Sequence, residues 1–329
     1  MRNLKRTVAT TFMAGVLAVG SLVQTASADN IKLRLSNSGS NTDERALAFE
    51  KVFKPAVSSF ANFEGHWSSS LFKQGTELEA MARGNLEMAL VSSQELAEFI
   101  PEFSIFSAGY VQRDEEHQLS VFNDSVMDPL KNKLEKMLKT KLLAVAYFGK
   151  RQLNLRTDDK IETPADLKGV NLRMPGTNAW QFLGKALGAS PTPMAFTEVY
   201  TGLQTGAIDG QDNPIPTTVN KKFYEVTKQI VLTSHLVDLN YVAVSLKTWN
   251  KLSKNEQALL QKAATDAASE IRKNILKKEK DLISFVKEKG LKVYEPNVKA
   301  FREHAQKMYL NSKYSKTWQA GMLEKINAL

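Results

Sequence analysis

Apolar and polar positions alternate over Ile31-Lys32-Leu33-Arg34-Leu35, the period of a half-buried β-strand. The polar run Ser36-Asn37-Ser38-Gly39-Ser40-Asn41 then predicts a turn. Ala46, Phe49, Val52 and Phe53 recur at spacings of three and four, which predicts a helix starting after Asn41 or Thr42. A second strand is expected over 64–68. Thr76 and Glu79 are spaced as a capping box, with Leu78, Met81 and Ala82 on the apolar face of the following helix. Met88-Ala89-Leu90-Val91 reads as a short buried strand, and the apolar run 142–148 as a longer one.

Thr163-Pro164 supplies a cap and a first-turn proline for a short helix that Gly169 ends. Residues 170–174 alternate as a strand, stopped by Pro175-Gly176. Helices are expected over 179–187 and 197–205, each ended by glycine. The stretch 254–289 is helical in pattern for 36 residues, up to Gly290. At a rise of 1.5 Å per residue it would span about 54 Å, more than the width of a small domain. Such a helix either protrudes or runs along two domains. Strands alternating with helices give an α/β fold, and 329 residues suggest two domains.

Residues 1–28 are a separate matter. Arg2, Lys5 and Arg6 precede a mostly apolar stretch, Phe12 to Val23, and Ala26-Ser27-Ala28 offers small residues for cleavage. This is the layout of a secretory signal peptide, and it predicts an exported chain starting at Asp29. Complete lack of cysteine suits an oxidising compartment and excludes disulfides and thiol chemistry. Removing the three positive charges of the signal takes the formal +9 to +6. The remaining excess lies in 246–329, with 18 Lys/Arg against 9 Asp/Glu, a solvated helical face rather than a nucleic-acid patch.

Catalytic signatures are sparse. The four histidines, His66, His117, His235 and His304, are far apart and show no metal-ligand spacing, so no metal or other cofactor is expected. Phosphate-binding glycine loops and the nucleophile-elbow pattern are absent. An anion-binding constellation remains: Arg151 follows the strand 142–148 and Arg173 lies near the end of 170–174. Ligands of α/β sheets bind beyond strand carboxyl ends, where two guanidinium forks would hold a carboxylate or sulfonate.

Residues 167–216 carry LKG-x-x-x-R-x-P, LGA-x-PTPMAF-x-EVY and LQTG-x-x-DGQ-x-NP, followed by KFYEV at 222–226. These stretches resemble the central signature of the extracytoplasmic solute-binding proteins of tripartite ATP-independent periplasmic (TRAP) transporters. The resemblance covers essentially the whole mature chain, more loosely at its N-terminal end. It implies a two-lobed periplasmic binding protein fold with a hinge and a long helix spanning both lobes. The expected lobes are 29–148 plus about 239–278, and 149–238 plus about 279–329. It further implies a cleft that closes on a small organic acid, membrane permease subunits as partners, and no chemistry on the ligand. The rival readings are a secreted α/β enzyme acting on an organic acid and a ligand sensor.

Matched residue by residue, Arg173 stands where the family pairs the ligand carboxylate, Arg151 at the second arginine, and Asn213 at a ligand-contacting asparagine. Phe196 matches a pocket aromatic, and Asn37 a polar contact from the other lobe. Trp180 is expected to narrow the cleft or stack on the ligand. Sialate-binding members carry an arginine just after the strand matching 88–91, where this chain reads Ser92-Ser93-Gln94-Glu95. That departure points away from sialic acid, toward sugar acids, small dicarboxylates, hydroxy or keto acids, or sulfonates such as isethionate.

Overall fold

The computed structural model describes residues 31–329, so the expected signal peptide and its cleavage site lie outside the described residues. Nine strands form one mixed sheet: β1 (Ile31–Ser36), β2 (Ala61–His66), β3 (Met88–Val91), β4 (Thr140–Leu155), β5 (Asn171–Met174), β6 (Ser190–Pro193), β7 (Gly210–Pro214), β8 (Gln229–Ser245) and β9 (Lys292–Tyr294). The strand order is β2-β1-β3-β8-β4-β7-β5-β6, with β9 added beside β8. β1–β3 are the parallel base of one lobe, and β5–β7 that of the other. The antiparallel pair β4 and β8, 16 and 17 residues long, belongs to both. A strand of that length reaches about 50 Å, which lets two ribbons of chain carry the whole connection within the sheet.

The expected strand over 64–68 sits earlier. β2 pairs with β1 from Ile31↔Ala61 to Ser36↔His66, and the polypeptide turns at Trp67. Register against β1 buries Ala61 and Phe63, an alternation too short to stand out in sequence. The capping box at Thr76 does not form: the helix is Glu77–Ala82, and Thr76 Oγ1 donates to the Lys73 carbonyl instead. The strand 142–148 extends to Leu155, so Arg151 lies inside it rather than after it.

The long helix is Lys254–Glu288, 35 residues, capped by Ser253 and Glu256. Its apolar stripe, Leu260 to Ile275, seals β4 and the first helical segment of lobe one, and its later turns meet the helix Ile215–Asn220 and β9. It spans both lobes, one of the two possibilities its length left open. In the last third of the helix, Glu279 accepts from Tyr147 Oη at 2.7 Å and from the Lys150 amide at 2.6 Å. Between those two residues the β4–β8 register shifts, and Gly149 takes φ +115°, a conformation that strains any side chain. A Cβ there would also lie 2.6 Å from Pro214 Cβ. The sheet therefore carries an irregularity at this point, one of three register shifts along the β4–β8 pair.

Candidate functional site

Between the lobes lies a cavity of about 60 Å³ lined by Asn37, Arg45, Gln74, Ser92, Glu95 and Asn240 on the first-lobe side. Arg151, Arg173, Pro175, Trp180, Phe196 and Asn213 line the other side. All six residues singled out from the sequence thus converge on one place. The volume is well below the roughly 300–1,000 Å³ of small-molecule sites, so the lobes are shut on each other. Contacts across the gap agree. Asn220 accepts from Ser40 Oγ at 2.7 Å and donates to Thr42 Oγ1 at 3.0 Å, and Gln74 Oε1 accepts from the Phe196 amide at 3.1 Å. A wider depression of about 690 Å³ opens beside Arg156 and Lys168, but none of its lining side chains is a buried polar group without a partner.

The three arginines differ in what already neutralises them. Arg151 is buried on β4 and gives Nε and Nη2 to Asp212 at 2.7 and 3.0 Å and Nη1 to Asp238 at 2.6 Å. Its guanidinium also lies 4.4 Å from the centre of the Trp180 ring. Trp180 is itself buried in the core, so it shapes the site by supporting Arg151. Burial disfavours the Arg151 cation, but the two aspartates more than offset it and hold it charged. Burial likewise raises Asp212, yet Arg151 and His235 pull it well below the usual carboxylate range. Asp238 is raised, chiefly by burial, because Arg151 gives it one hydrogen bond and Asp212 repels it.

Arg45 is committed too. It gives Nε and Nη2 to Asp43 at 2.8 and 2.9 Å and Nη1 to Asn240 at 2.6 Å, and stacks 3.8 Å above Phe148.

Arg173, on β5, is the exception. It is 1% exposed, its Nε donates to the Met194 carbonyl at 2.9 Å, and its Nη2 is buried without any partner. Phe196 lies 5.6 Å from it, a cation–π contact. Burial, with added repulsion from Arg151, pushes Arg173 down to about 9 despite attraction from Asp212 and Glu198. It stays charged at neutral pH, as a cation short of its counter-charge.

The remaining polar groups are held in place by one another. Asn213 Nδ2 donates to Gln211 Oε1 at 2.6 Å, and Gln211 Nε2 to Asn154 Oδ1 at 3.2 Å. Asn37 spends its side chain on the backbone, accepting from the Gly39 amide at 2.8 Å and donating to the Leu90 carbonyl at 3.3 Å. It lines the cavity chiefly by shaping the β1 turn.

Thr233, His235 and Asp212 are linked in series, at 2.8 and 3.0 Å, in the connectivity of a nucleophile relay. All three side chains are fully buried, none lines the cavity, and Asp212 is spent on Arg151. The relay acts as a brace for Arg151. Among the described residues, no group of three or more acids and histidines is placed to hold a metal.

Asp212, Asp238, His235, Arg45, Glu95 and Gln74 escaped the sequence reading. A signal for two of them was present: Asp212 and Asp238 are charged residues inside strands buried along most of their length, and a buried charge demands a partner. Which partner each takes depends on register, since Arg151↔Pro214 and Leu153↔Asp212 pairing places Arg151 and Asp212 on one face.

Comparison with known proteins agrees with this geometry. Residues 35–316 match the model of bacterial extracellular solute-binding proteins, family 7. The sialic acid-binding periplasmic protein SiaP of Vibrio cholerae is 32% identical, covering 74% of this chain and 75% of that protein. The 2,3-diketo-L-gulonate-binding periplasmic protein YiaO of Escherichia coli is 31% identical, covering 86% and 85%. A TRAP periplasmic solute-binding protein of Roseobacter denitrificans, solved with bound 3-deoxy-D-manno-oct-2-ulosonic acid (KDO), superposes with TM-score 0.90. It is 55% identical, covering 91% of this chain and 99% of that one. One from Polaromonas, bound to D-erythronate, is 26% identical with TM-score 0.84, covering 91% and 99%. With two lobes shut over buried arginines and a family match along most of its length, this chain belongs to the solute-binding proteins of TRAP transporters, which capture small organic anions.

Proposed function

We propose that this protein captures a hydroxylated sugar acid with a single carboxylate, of the KDO type, in the periplasm and delivers it to its membrane permease. The observation that carries the reading is the uneven neutralisation of the arginines. Arg45 is held by Asp43 and Asn240 and Arg151 by Asp212 and Asp238, and of the three arginines Arg173 alone has a buried nitrogen with no partner among the described residues. The site therefore lacks one anionic group, not two. Arg173 takes the ligand carboxylate through its fork. Arg151, backed by the Trp180 ring, and Asn213 orient it, Phe196 walls the sugar, and Asn37 completes the first-lobe side. The relative that binds KDO shares more than half its residues with this chain, which supports a ligand of the same class.

The protein does no chemistry in this reading, and the ligand leaves unchanged. The pivot lies where Glu279 grips both sides of the β4 irregularity, which supports a division of the lobes near residues 148/149, 238/239 and 278/279. Export, with cleavage after Ala28, rests on the leader sequence and on the periplasmic relatives.

The test is a thermal-shift screen followed by calorimetry with KDO, D-erythronate, L-galactonate, succinate and isethionate. A ligand that binds only the folded state raises the melting temperature. KDO or another sugar acid is expected to give the largest rise. A larger rise with succinate or isethionate would refute the single-carboxylate reading.

A further inference from the structure

We propose that Glu95 sets the specificity of the cleft, accepting a ligand hydroxyl and repelling any ligand with a second anionic group. The inference rests on the reading that Arg173 holds the ligand's acid group. Glu95 follows β3 in the helix Ser93–Ala97 and lines the cavity from the first lobe. Arg173 lines it from the second lobe, on a strand separated from β3 by β8, β4 and β7.

Only half of the Glu95 carboxylate is used by the fold. Its Oε2 accepts from the Ser92 amide at 2.8 Å and from Ser92 Oγ at 2.9 Å, while Ser92 Oγ accepts from the Glu95 amide at 3.2 Å. This reciprocal capping box fixes the side chain in one orientation. Among the described residues, Oε1 accepts no hydrogen bond. A carboxylate held rigidly at a ligand cavity with one oxygen unspent is a ready acceptor for an O–H group.

The surroundings explain what it would refuse. Burial raises Glu95, the Ser92 hydrogen bonds lower it, and of the charges around it Asp238 disfavours its ionised form while Arg45 favours it. Glu77 is buried and engaged with the Gly75 amide at 2.8 Å, and Arg45 is committed to Asp43 and Asn240. Arg45 and Arg151 are thus spent on the protein's own side chains, and a second carboxylate placed beside Glu95 would meet like charge in a site shielded from water, where repulsion is strong. A hydroxyl carries no such penalty.

The experiment is calorimetry of the mature protein and of Glu95→Gln, Glu95→Asp, Ser92→Ala and Arg173→Ala with KDO and succinate. A hydrogen bond to a charged group is strong, so Glu95→Gln is expected to weaken KDO at least about tenfold while succinate binding holds or improves. Glu95→Asp keeps the charge but withdraws it by one methylene, and is expected to fall between. Ser92→Ala breaks the capping box but keeps the carboxylate, and is expected to lower the melting temperature while preserving the preference for KDO. Native KDO affinity in both Glu95 variants, with Arg173→Ala inactive, overturns the Glu95 assignment alone. A Ser92→Ala protein whose preference shifts as in Glu95→Gln overturns it as well, since Glu95 would then act through the helix. Wild-type protein that prefers succinate overturns the single-carboxylate reading and this inference with it.

Discussion

Arg173 should cost the ligand-free protein stability, and Arg173→Met measures that cost. At about 1.4 kcal/mol per pKa unit, the fall from 12.5 to about 9 is a penalty on the order of 5 kcal/mol on the charged form. Methionine is unbranched and adaptable enough to follow the same path. The substitution loses the bond from Nε to the Met194 carbonyl, and leaving that carbonyl unpaired costs roughly 1–3 kcal/mol. The net expectation is a gain of about 2 kcal/mol, within the range seen when buried ions are replaced by apolar groups. At roughly 2 °C per kcal/mol for a chain of this size, ligand-free Arg173→Met should melt about 4 °C above wild type. Calorimetric melts with and without KDO make the comparison. Saturating KDO should raise the wild type and leave the variant where it was, with affinity reduced at least about 100-fold. A ligand-free variant melting below wild type would show that the cation is already compensated in the closed cleft. Native affinity in the variant would remove Arg173 from the site.

Two further outcomes test other parts of the molecule. Glu77 is pushed up to about 8, by burial first and by Glu95 second, so its folded form holds a proton that the unfolded chain has lost. Stability should therefore fall as pH rises from about 4.5 to 8, and Glu77→Gln should flatten that slope in chemical denaturation at a series of pH values; an unchanged slope would place Glu77 outside the titration. Asn220→Ala removes the cross-cleft bonds to Ser40 and Thr42 without touching the cavity lining. At about 0.5–1.5 kcal/mol for each of the two bonds, it should weaken KDO roughly 5–150-fold and enlarge the radius of gyration at subsaturating ligand in solution scattering. An unchanged affinity would mean these bonds do not hold the lobes shut.

The α/β class was legible because it depends on local periodicity. Leu33 and Leu35 alternate with polar neighbours, Leu260 to Ile275 recur at helical spacing, and Gly188, Gly206 and Gly290 stop helices with positive φ. The two cleft arginines were legible through position after or within strands, and the family motif added Asn213 and Phe196. Other features were not. β2 began three residues earlier than its composition suggested, because pairing with β1 decided its register. The cap at Thr76 failed because its hydroxyl found a nearer carbonyl.

The electrostatic character of the site belongs largely to the tertiary structure. The sequence by itself determined that Arg151 and Arg173 lie on or beside strands bound for the interior; Arg45 emerged only from the structure. The sequence did not determine that Asp43 would neutralise Arg45, that Asp212 and Asp238 would neutralise Arg151, or that Arg173 would stay unpaired. Those partners lie two, 61 and 87 residues away along the chain. Asp43 is a local partner, the cap of the helix that carries Arg45, whereas Asp212 and Asp238 are chosen by the register of β7 and β8 against β4, and a buried charge feels only what lies within a few ångströms in space.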